Sequence, residues 1–352
     1  KIKTFSIGFE NKLYDEAIFA KKVSAILGTD HHEFYISQND ALNVIPYISD
    51  IYDEPFADSS QIPTIILSKL TRQFVKVALS GDGGDEIFGG YNRYIWFETI
   101  YKYTKWINYD IRRIISEKSK FIGSNFSNKV INSIESISPK TRINNFANKL
   151  LKLTEIIDYR DINDLYEKII SIIYDVKQCS NQSFQTTKEE NNYFGKFNEN
   201  FSSLMAIDTL TYLPDDILVK VDRAAMSVGL ETRIPFLDKR IIDFAWSLPV
   251  NMKINKKNKK LILKKILSRY IPNELIERPK QGFGIPLSNW LRGPLKNWAE
   301  DLLSIDCLNK YSYLDVDYVR NIWEDHLKGK RNNQYLLWNV LMFQSWMENS
   351  KF

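Results

Sequence analysis

Cysteine is scarce in this chain. Two occur in 352 residues, Cys179 and Cys307, and neither belongs to a Cys-x-x-Cys pair. That excludes a disulfide scaffold and a Cys-rich zinc site, and it fits a reducing cytoplasm. Histidine is also rare, and no Glu-x-x-His occurs, so the pair His31-His32 reads as structural, not metal-binding. No apolar run approaches a membrane span and no signal peptide opens the chain, which leaves no membrane role. The Gly-x-Ser-x-Gly elbow of hydrolases is missing. So are the Gly-Lys-Ser/Thr of a Walker loop, the Gly-x-Gly-x-x-Gly fingerprint and the acid spacing of an EF-hand. The net charge of +5 comes from lysines scattered among Asn, Ile and Asp, without a basic stripe, so nucleic acid is not an expected partner. Methionine is absent at position 1, and the chain opens directly in a strand-like run. It reads as a fragment of something longer.

What is present allows a substantial core. Hydrophobic residues make up 44% of the sequence, enough for one large domain or two ordinary ones. Thr4 to Phe9 reads as a strand, Tyr14 to Leu27 as a helix stopped by Gly28, and His32 to Ile36 as a second strand. Helical material follows to Tyr52 and again from Ser60 to Leu70, before a third, buried strand at Phe74 to Leu79. Strands alternating with helices predict an α/β fold with a doubly wound parallel sheet and extensive additional helices. Ligands in such sheets bind at the carboxyl ends of strands, where Ile7-Gly8 and Ser80-Gly81 lie. Between Tyr101 and Asn200 the texture shifts to Lys, Asn, Ile and Ser, read as helices with a polar connection from Gln178 to Asn192. From Leu204 onward the chain reads as mostly helical, and Tyr335 to Trp346 reads as a buried helix.

The most informative stretch is Ser80-Gly81-Asp82-Gly83-Gly84-Asp85-Glu86-Ile87-Phe88-Gly89-Gly90-Tyr91. A strand, a glycine-rich turn and an apolar segment form the usual setting of a phosphate pocket. Here the turn also holds three acids. Carboxylates repel phosphates unless a cation stands between them, so the pattern predicts a nucleotide met through Mg²⁺ with Asp oxygens as ligands.

Other motifs divide between chemistry and architecture. Arg278-Pro279-Lys280-Gln281-Gly282-Phe283 holds a lysine in a shaped loop, as a reaction developing negative charge requires. Six lysines lie between Lys256 and Lys265. Most read as a solvated helix face, but Lys260 and Lys264 are one turn apart and could grip a polyphosphate. Asp53 to Ser60 reads either as a helix start capped by Ser59 or Ser60, or as a substrate-facing segment. Arg223, Glu231, Arg233 and Asp238 read as a structural ion-pair network.

Taken together, Leu79 to Tyr91 resembles the signature of glutamine-dependent asparagine synthetases. The likeness extends through Thr4 to Phe9, Gly28 to Glu33 and Asp53 to Ser60. It resumes at Asp215 to Arg223, Glu231 to Asp238 and Arg278 to Phe283. It implies the synthetase domain of that family, with a PP-loop ATPase (adenine nucleotide alpha hydrolase-like) fold. Such a domain uses ATP and Mg²⁺ to activate L-aspartate as aspartyl-AMP. Ammonia, released from glutamine by an N-terminal glutaminase domain, then displaces AMP. By the same resemblance, Ser80 and Gly81 meet the nucleotide through the backbone, Ile7 meets adenine, and Asp85 is a Mg²⁺ ligand. Asp82 handles the proton of the attacking amine, Lys280 stabilises phosphate charge, and Lys260 binds pyrophosphate. The family's Ser-Gly-Gly-x-Asp-Ser loop and its glutaminase domain are both missing, and both belong upstream of Lys1, so this fragment alone is expected to be inactive.

The implied organisation is a nucleotide-binding core over residues 1–100, a variable helical insert over 101–200, and a helical remainder over 201–352 that completes the site. A cytoplasmic enzyme, with a homodimer plausible from the family alone, is the expectation. Two alternatives stay open: the same adenylation and amide-forming chemistry on another carboxylate (β-lactam synthetase-like, or a sugar acid), and a non-catalytic nucleotide-binding paralogue.

Overall fold

A computed structural model describes residues 1–9, 17–118, 153, 156–172, 179–180, 194–255, 258–277 and 285–349. Strand β1 (Lys3–Phe9) buries Ile7 and Phe9. Helix α1 (Ala17–Leu27) crosses over to β2 (Asp30–Ile36), and the two strands pair in parallel with Ile7 opposite Phe34 and Phe9 opposite Ile36. The helix stops at Gly28 with φ +65°, a left-handed C-terminal turn that glycine adopts without strain. Helix α2 (Gln61–Arg72) buries Ile62, Ile65 and Ile66 and leads to β3 (Val77–Leu79), which pairs in parallel with β4 (Glu231–Arg233).

Between β3 and β4 run α3 (Gly84–Phe88), α4 (Asn92–Thr104), α5 (Ile162–Ile170), α6 (Asn200–Leu210), a π-helical turn at Leu213–Leu218, and α7 (Val219–Met226). Later elements include α8 (Leu261–Leu267), α9 (Val316–Leu327) and α10 (Gln334–Asn349). The architecture is α/β and rich in helix.

The described strands form two separate parallel pairs, β1–β2 and β3–β4, where the sequence predicts one sheet. The third strand is also less buried than its apolar run suggests. Val77 is 42% exposed and Leu79 is 73% exposed, because β3 has a partner on one edge only among the described residues. Phe74 lies outside the strand, and its ring packs 4.2 Å from His32 and 5.8 Å from Phe5. Glu231 to Arg233, expected within helical material, is a strand that exists through its pairing with β3.

Three cores hold these elements, the smallest of them packing Ile87 and Phe88 of α3 against Ile262 and Leu263 of α8. The largest joins β1, β2 and α2 to the C-terminal helices, and α10 contributes Leu337, Trp338, Val340 and Leu341 to it, as the sequence predicts. Each such fully buried apolar side chain contributes about 1.5–3 kcal/mol. The second core packs Tyr94 and Phe97 of α4 against Tyr166 and Ile169 of α5 and Leu204 and Met205 of α6. The described part of the Lys/Asn-rich middle therefore shares a core with the helices that follow the acidic loop. His31 serves the fold: its ring nitrogens lie 2.9 Å from the Thr4 hydroxyl and 3.1 Å from that of Ser6.

Candidate active site

The acidic loop leaves the carboxyl end of β3, as the sequence predicts. The Ser80 backbone N–H donates to the Arg233 carbonyl at 3.0 Å, so β4 anchors the exit point. The Ser80 hydroxyl donates to Asp82 Oδ2 at 2.7 Å. A Cβ placed on Gly81 would meet nothing within 4 Å, so a ligand can approach that backbone closely. The chain then turns at Gly83, whose φ of +77° favours glycine, and the short helix α3 follows.

Asp85 is met from far along the chain. Lys260 Nζ lies 3.1 Å from Asp85 Oδ1. Lys260 stands at the start of α8 in the left-handed region, φ 52°, without a side-chain cap bond, a conformation a lysine adopts at a cost. A Cβ on Gly90 would overlap both Asp85 Oδ1 and Lys260 Cε, so glycine makes room for this contact. The structure thus pairs Ser80 with Asp82 and Asp85 with Lys260, and carries Ser80, Gly81, Asp82 and Asp85 on one loop after β3. Lys264 does not join them: it pairs with Glu277 at 2.9 Å. Ile7 lies in the larger core, on the other strand pair. Lys280 and its loop, residues 278–284, lie outside the described residues.

Behind the loop lies a buried polar network. Glu86 is 1% exposed; its Oε1 accepts the Tyr91 hydroxyl at 2.5 Å, while Oε2 has no donor. Burial raises the Glu86 pKa, and the nearby Asp85 and Asp208 charges add to that, against the Tyr91 bond that lowers it. Arg93 Nη2 and Nε donate to Asp208 Oδ2 at 2.6 and 3.0 Å. Asp208 also accepts the Tyr94 and Tyr166 hydroxyls at 2.6 Å each. The Arg93 guanidinium stacks 3.9 Å from the Tyr91 ring and 4.5 Å from that of Tyr212.

The segment Asp53 to Ser60 and the segment Asp215 to Arg223 meet through an ion pair. Lys220 Nζ donates to Asp58 Oδ2 at 2.6 Å. Burial disfavours the Asp58 carboxylate, but the Lys220 ammonium prevails and holds its pKa below the ordinary value. Asp216 lies against Asp58, and burial together with the Asp58 charge pushes its pKa up to about 7. Of the two, Asp216 is therefore the carboxyl that protonates first. Ser60 starts α2 without a side-chain cap bond; its hydroxyl instead turns back to Asp58. Arg223, Glu231, Arg233 and Asp238 do not form the expected network: they make separate surface pairs, Arg223 with the distant Asp53, Arg233 with Glu231, and Arg240 with Asp238.

Sequence reasoning missed Arg93, Asp208 and Asp216 as site-forming residues. The available signal was an acid inside an apolar helix: Asp208 stands between Ile207 and Leu210, where only a paired charge is tolerated.

Comparison with known proteins bears on the whole chain. A family model described as asparagine synthase matches residues 1–348. Asparagine synthetase [glutamine-hydrolyzing] 1 of Bacillus subtilis (strain 168) is 29% identical over 355 residues, covering 98% of this chain and 52% of the relative. A putative asparagine synthetase [glutamine-hydrolyzing] of Mycobacterium bovis is 27% identical over 349 residues, covering 98% and 50%. A second putative asparagine synthetase [glutamine-hydrolyzing] of Methanocaldococcus jannaschii is 53% identical over 91 residues, 26% of this chain and 18% of that one. The chain spans about half the length of the first two relatives.

Proposed function

The chain belongs to the asparagine synthase family, and we propose that it carries the synthetase step of a glutamine-hydrolysing asparagine synthetase. The observation that supports this most directly is the contact of Asp85 with Lys260 at the mouth of an open-backboned turn after β3. There an acid and a base are placed for a metal–polyphosphate ligand.

The proposed reaction runs in two steps. A carboxylate oxygen of L-aspartate attacks the α-phosphorus of ATP, forming aspartyl-AMP and releasing pyrophosphate. Ammonia then attacks the acyl carbon, AMP leaves with the bonding electrons, and the surplus proton passes to Asp82. Ser80 and Gly81 hold the nucleotide through the backbone. Lys260 receives pyrophosphate, and Lys280 offsets charge on the phosphates during adenylation. Ile7 borders the adenine.

Asp85 fits Mg²⁺. It offers a hard oxygen at a point where the protein already accommodates a cation, Lys260. Mg²⁺ commonly takes one or two carboxylates and fills its remaining positions with phosphates and water. Among the described residues no group of three or more His, Cys, Asp or Glu forms a metal cage, which suits an ion arriving with its nucleotide. When bound, Mg²⁺ offsets phosphate charge.

The edge of β3 that has no partner among the described residues, and the separate β1–β2 pair, support one addition. A further parallel strand between β1 and β3, carrying the pyrophosphate loop, would complete a doubly wound sheet. A preceding glutaminase domain would supply ammonia. The test is ATP-dependent pyrophosphate release by the full-length protein. We expect release with L-aspartate and its loss in Lys280→Ala; normal release in that variant would remove Lys280 from the mechanism.

A further inference from the structure

Asp85 stands on α3, a helix of only five residues, Gly84–Phe88. So short a helix does not hold its own shape in water, so tertiary contacts must fix the direction of the Asp85 carboxylate. One set of contacts comes from α8: Ile87 and Phe88 pack against Ile262 and Leu263 of the helix that Lys260 begins. A second set comes from residues that the proposed reaction does not use.

Successive helix residues point about 100° apart. While Asp85 meets Lys260, Glu86 turns inward and is 1% exposed. Its Oε1 accepts the Tyr91 hydroxyl at 2.5 Å, and its Oε2 is buried without a donor. A carboxyl so enclosed has lost its water, and the Tyr91 hydroxyl is the side-chain donor that compensates it. The backbone adds a second grip. The N–H groups of Gly89 and Gly90 both donate to the Asp85 carbonyl, that of Gly90 at 2.7 Å. Residues 89–91 thus clamp Asp85 and Glu86 from the chain that follows them.

Tyr91 sets a position only because it is itself fixed. The Arg93 guanidinium lies 3.9 Å from its ring and 4.5 Å from that of Tyr212. The Tyr91 ring meets Tyr94 and Tyr212 edge-on, with centroids 5.6 and 5.8 Å away. Arg93 is in turn locked by Asp208, which also accepts the hydroxyls of Tyr94 and of Tyr166 in α5. The phenol therefore reaches Glu86 from a direction that a buried network determines.

We infer that Tyr91 is a positioning residue for the metal-binding carboxylate: its hydroxyl on Glu86 fixes the rotation of α3, and with it the direction in which Asp85 presents its oxygens to Mg²⁺. This rests on the reading of Asp85 as the Mg²⁺ ligand. Without the hydroxyl the buried Glu86 has no side-chain donor and turns toward water, α3 turns with it, and Asp85 is misaimed. Supporting groups of this kind change metal affinity by about 10–100-fold.

The test is calorimetry on the full-length protein with two ligands, a non-hydrolysable ATP analogue carrying Mg²⁺, and AMP, which has no polyphosphate for a metal to bridge. In Tyr91→Phe, affinity for the Mg²⁺-bound analogue should fall about tenfold or more while AMP affinity stays within about twofold. Glu86→Gln keeps an oxygen that accepts the Tyr91 hydroxyl, so it should hold affinity for the Mg²⁺-bound analogue within about threefold of wild type. A loss in Glu86→Gln as large as in Tyr91→Phe would assign the effect to the Glu86 charge and overturn the inference. Equal losses for both ligands in Tyr91→Phe would mark a general defect of the fold and overturn it as well. Wild-type binding that depends on Mg²⁺ and is unchanged in Tyr91→Phe would remove the positioning role and spare the nucleotide site. No Mg²⁺-dependent binding by the wild type would remove both.

Discussion

Lys260 and Asp85 stand 175 residues apart in sequence, and their charged atoms stand 3.1 Å apart in space. On the proposed reading the lysine occupies, without nucleotide, ground that the cation and phosphates share when ATP binds. Asp85→Asn should therefore weaken metal–nucleotide binding by about tenfold or more, and Lys260→Met should weaken pyrophosphate binding. Titration calorimetry with MgATP and with pyrophosphate reads both. Unchanged affinities in the two variants would remove this pair from the site.

Gly90 is the residue that makes their approach possible. Gly90→Ala would force a Cβ into Asp85 Oδ1 and Lys260 Cε. Overpacking of this kind typically costs about 1–3 kcal/mol. We expect a loss of unfolding free energy in that range in urea, together with weakened nucleotide binding. Wild-type behaviour in both would mean that the loop relaxes freely.

Asp208 carries four hydrogen bonds while 1% exposed, from Arg93 twice, Tyr94 and Tyr166. Asp208→Asn leaves the Arg93 charge half-buried and unbalanced, which for a buried pair costs about 3–5 kcal/mol. Urea unfolding of the variant should show a loss of that size with an unchanged slope. A loss under about 1 kcal/mol would show that solvent already screens the pair.

His326 supplies a pH test away from the site. Its side chain is buried; Nδ1 accepts the Asn333 N–H at 3.1 Å and Nε2 has no partner. Burial, with the Arg292 charge, pushes its pKa down to about 4, against about 6.5 in the unfolded chain. The folded state thus resists a proton that the unfolded state takes. This contribution to stability is fully present above about pH 6.5 and fades as pH falls through about 4, by about 3 kcal/mol in all. His326→Asn should flatten the pH slope of unfolding in that window by one proton. An unchanged slope would mean that His326 titrates normally in the fold.

What the sequence made legible was local. Thr4 to Phe9, the helix ending at Gly28 and His32 to Ile36 each announce themselves by periodicity and by a stop residue, and each is found within a few positions. Strand β4 does not: Glu231-Thr232-Arg233 has no apolar run, and only non-local pairing with β3 makes it a strand. The apolar run before Ser80 read as buried because its composition cannot show which edge lacks a partner. The loop itself was legible because its chemistry is packed into a few adjacent residues. The Arg93–Asp208 and Asp58–Lys220 pairs join segments more than 100 residues apart, and no local signal states which distant acid a base will meet. Ser60 shows the same limit at short range, since a serine at a helix start can cap it or, as here, bond an acid two residues back.

The central claim is that this fold joins a carboxylate to the α-phosphorus of ATP. It is tested most directly with L-aspartate labelled with ¹⁸O in its side-chain carboxylate, given to the full-length protein with ATP and an ammonia source. The account predicts one ¹⁸O atom per turnover in AMP, with pyrophosphate unlabelled. Product formed with label in inorganic phosphate, and none in AMP, would contradict it.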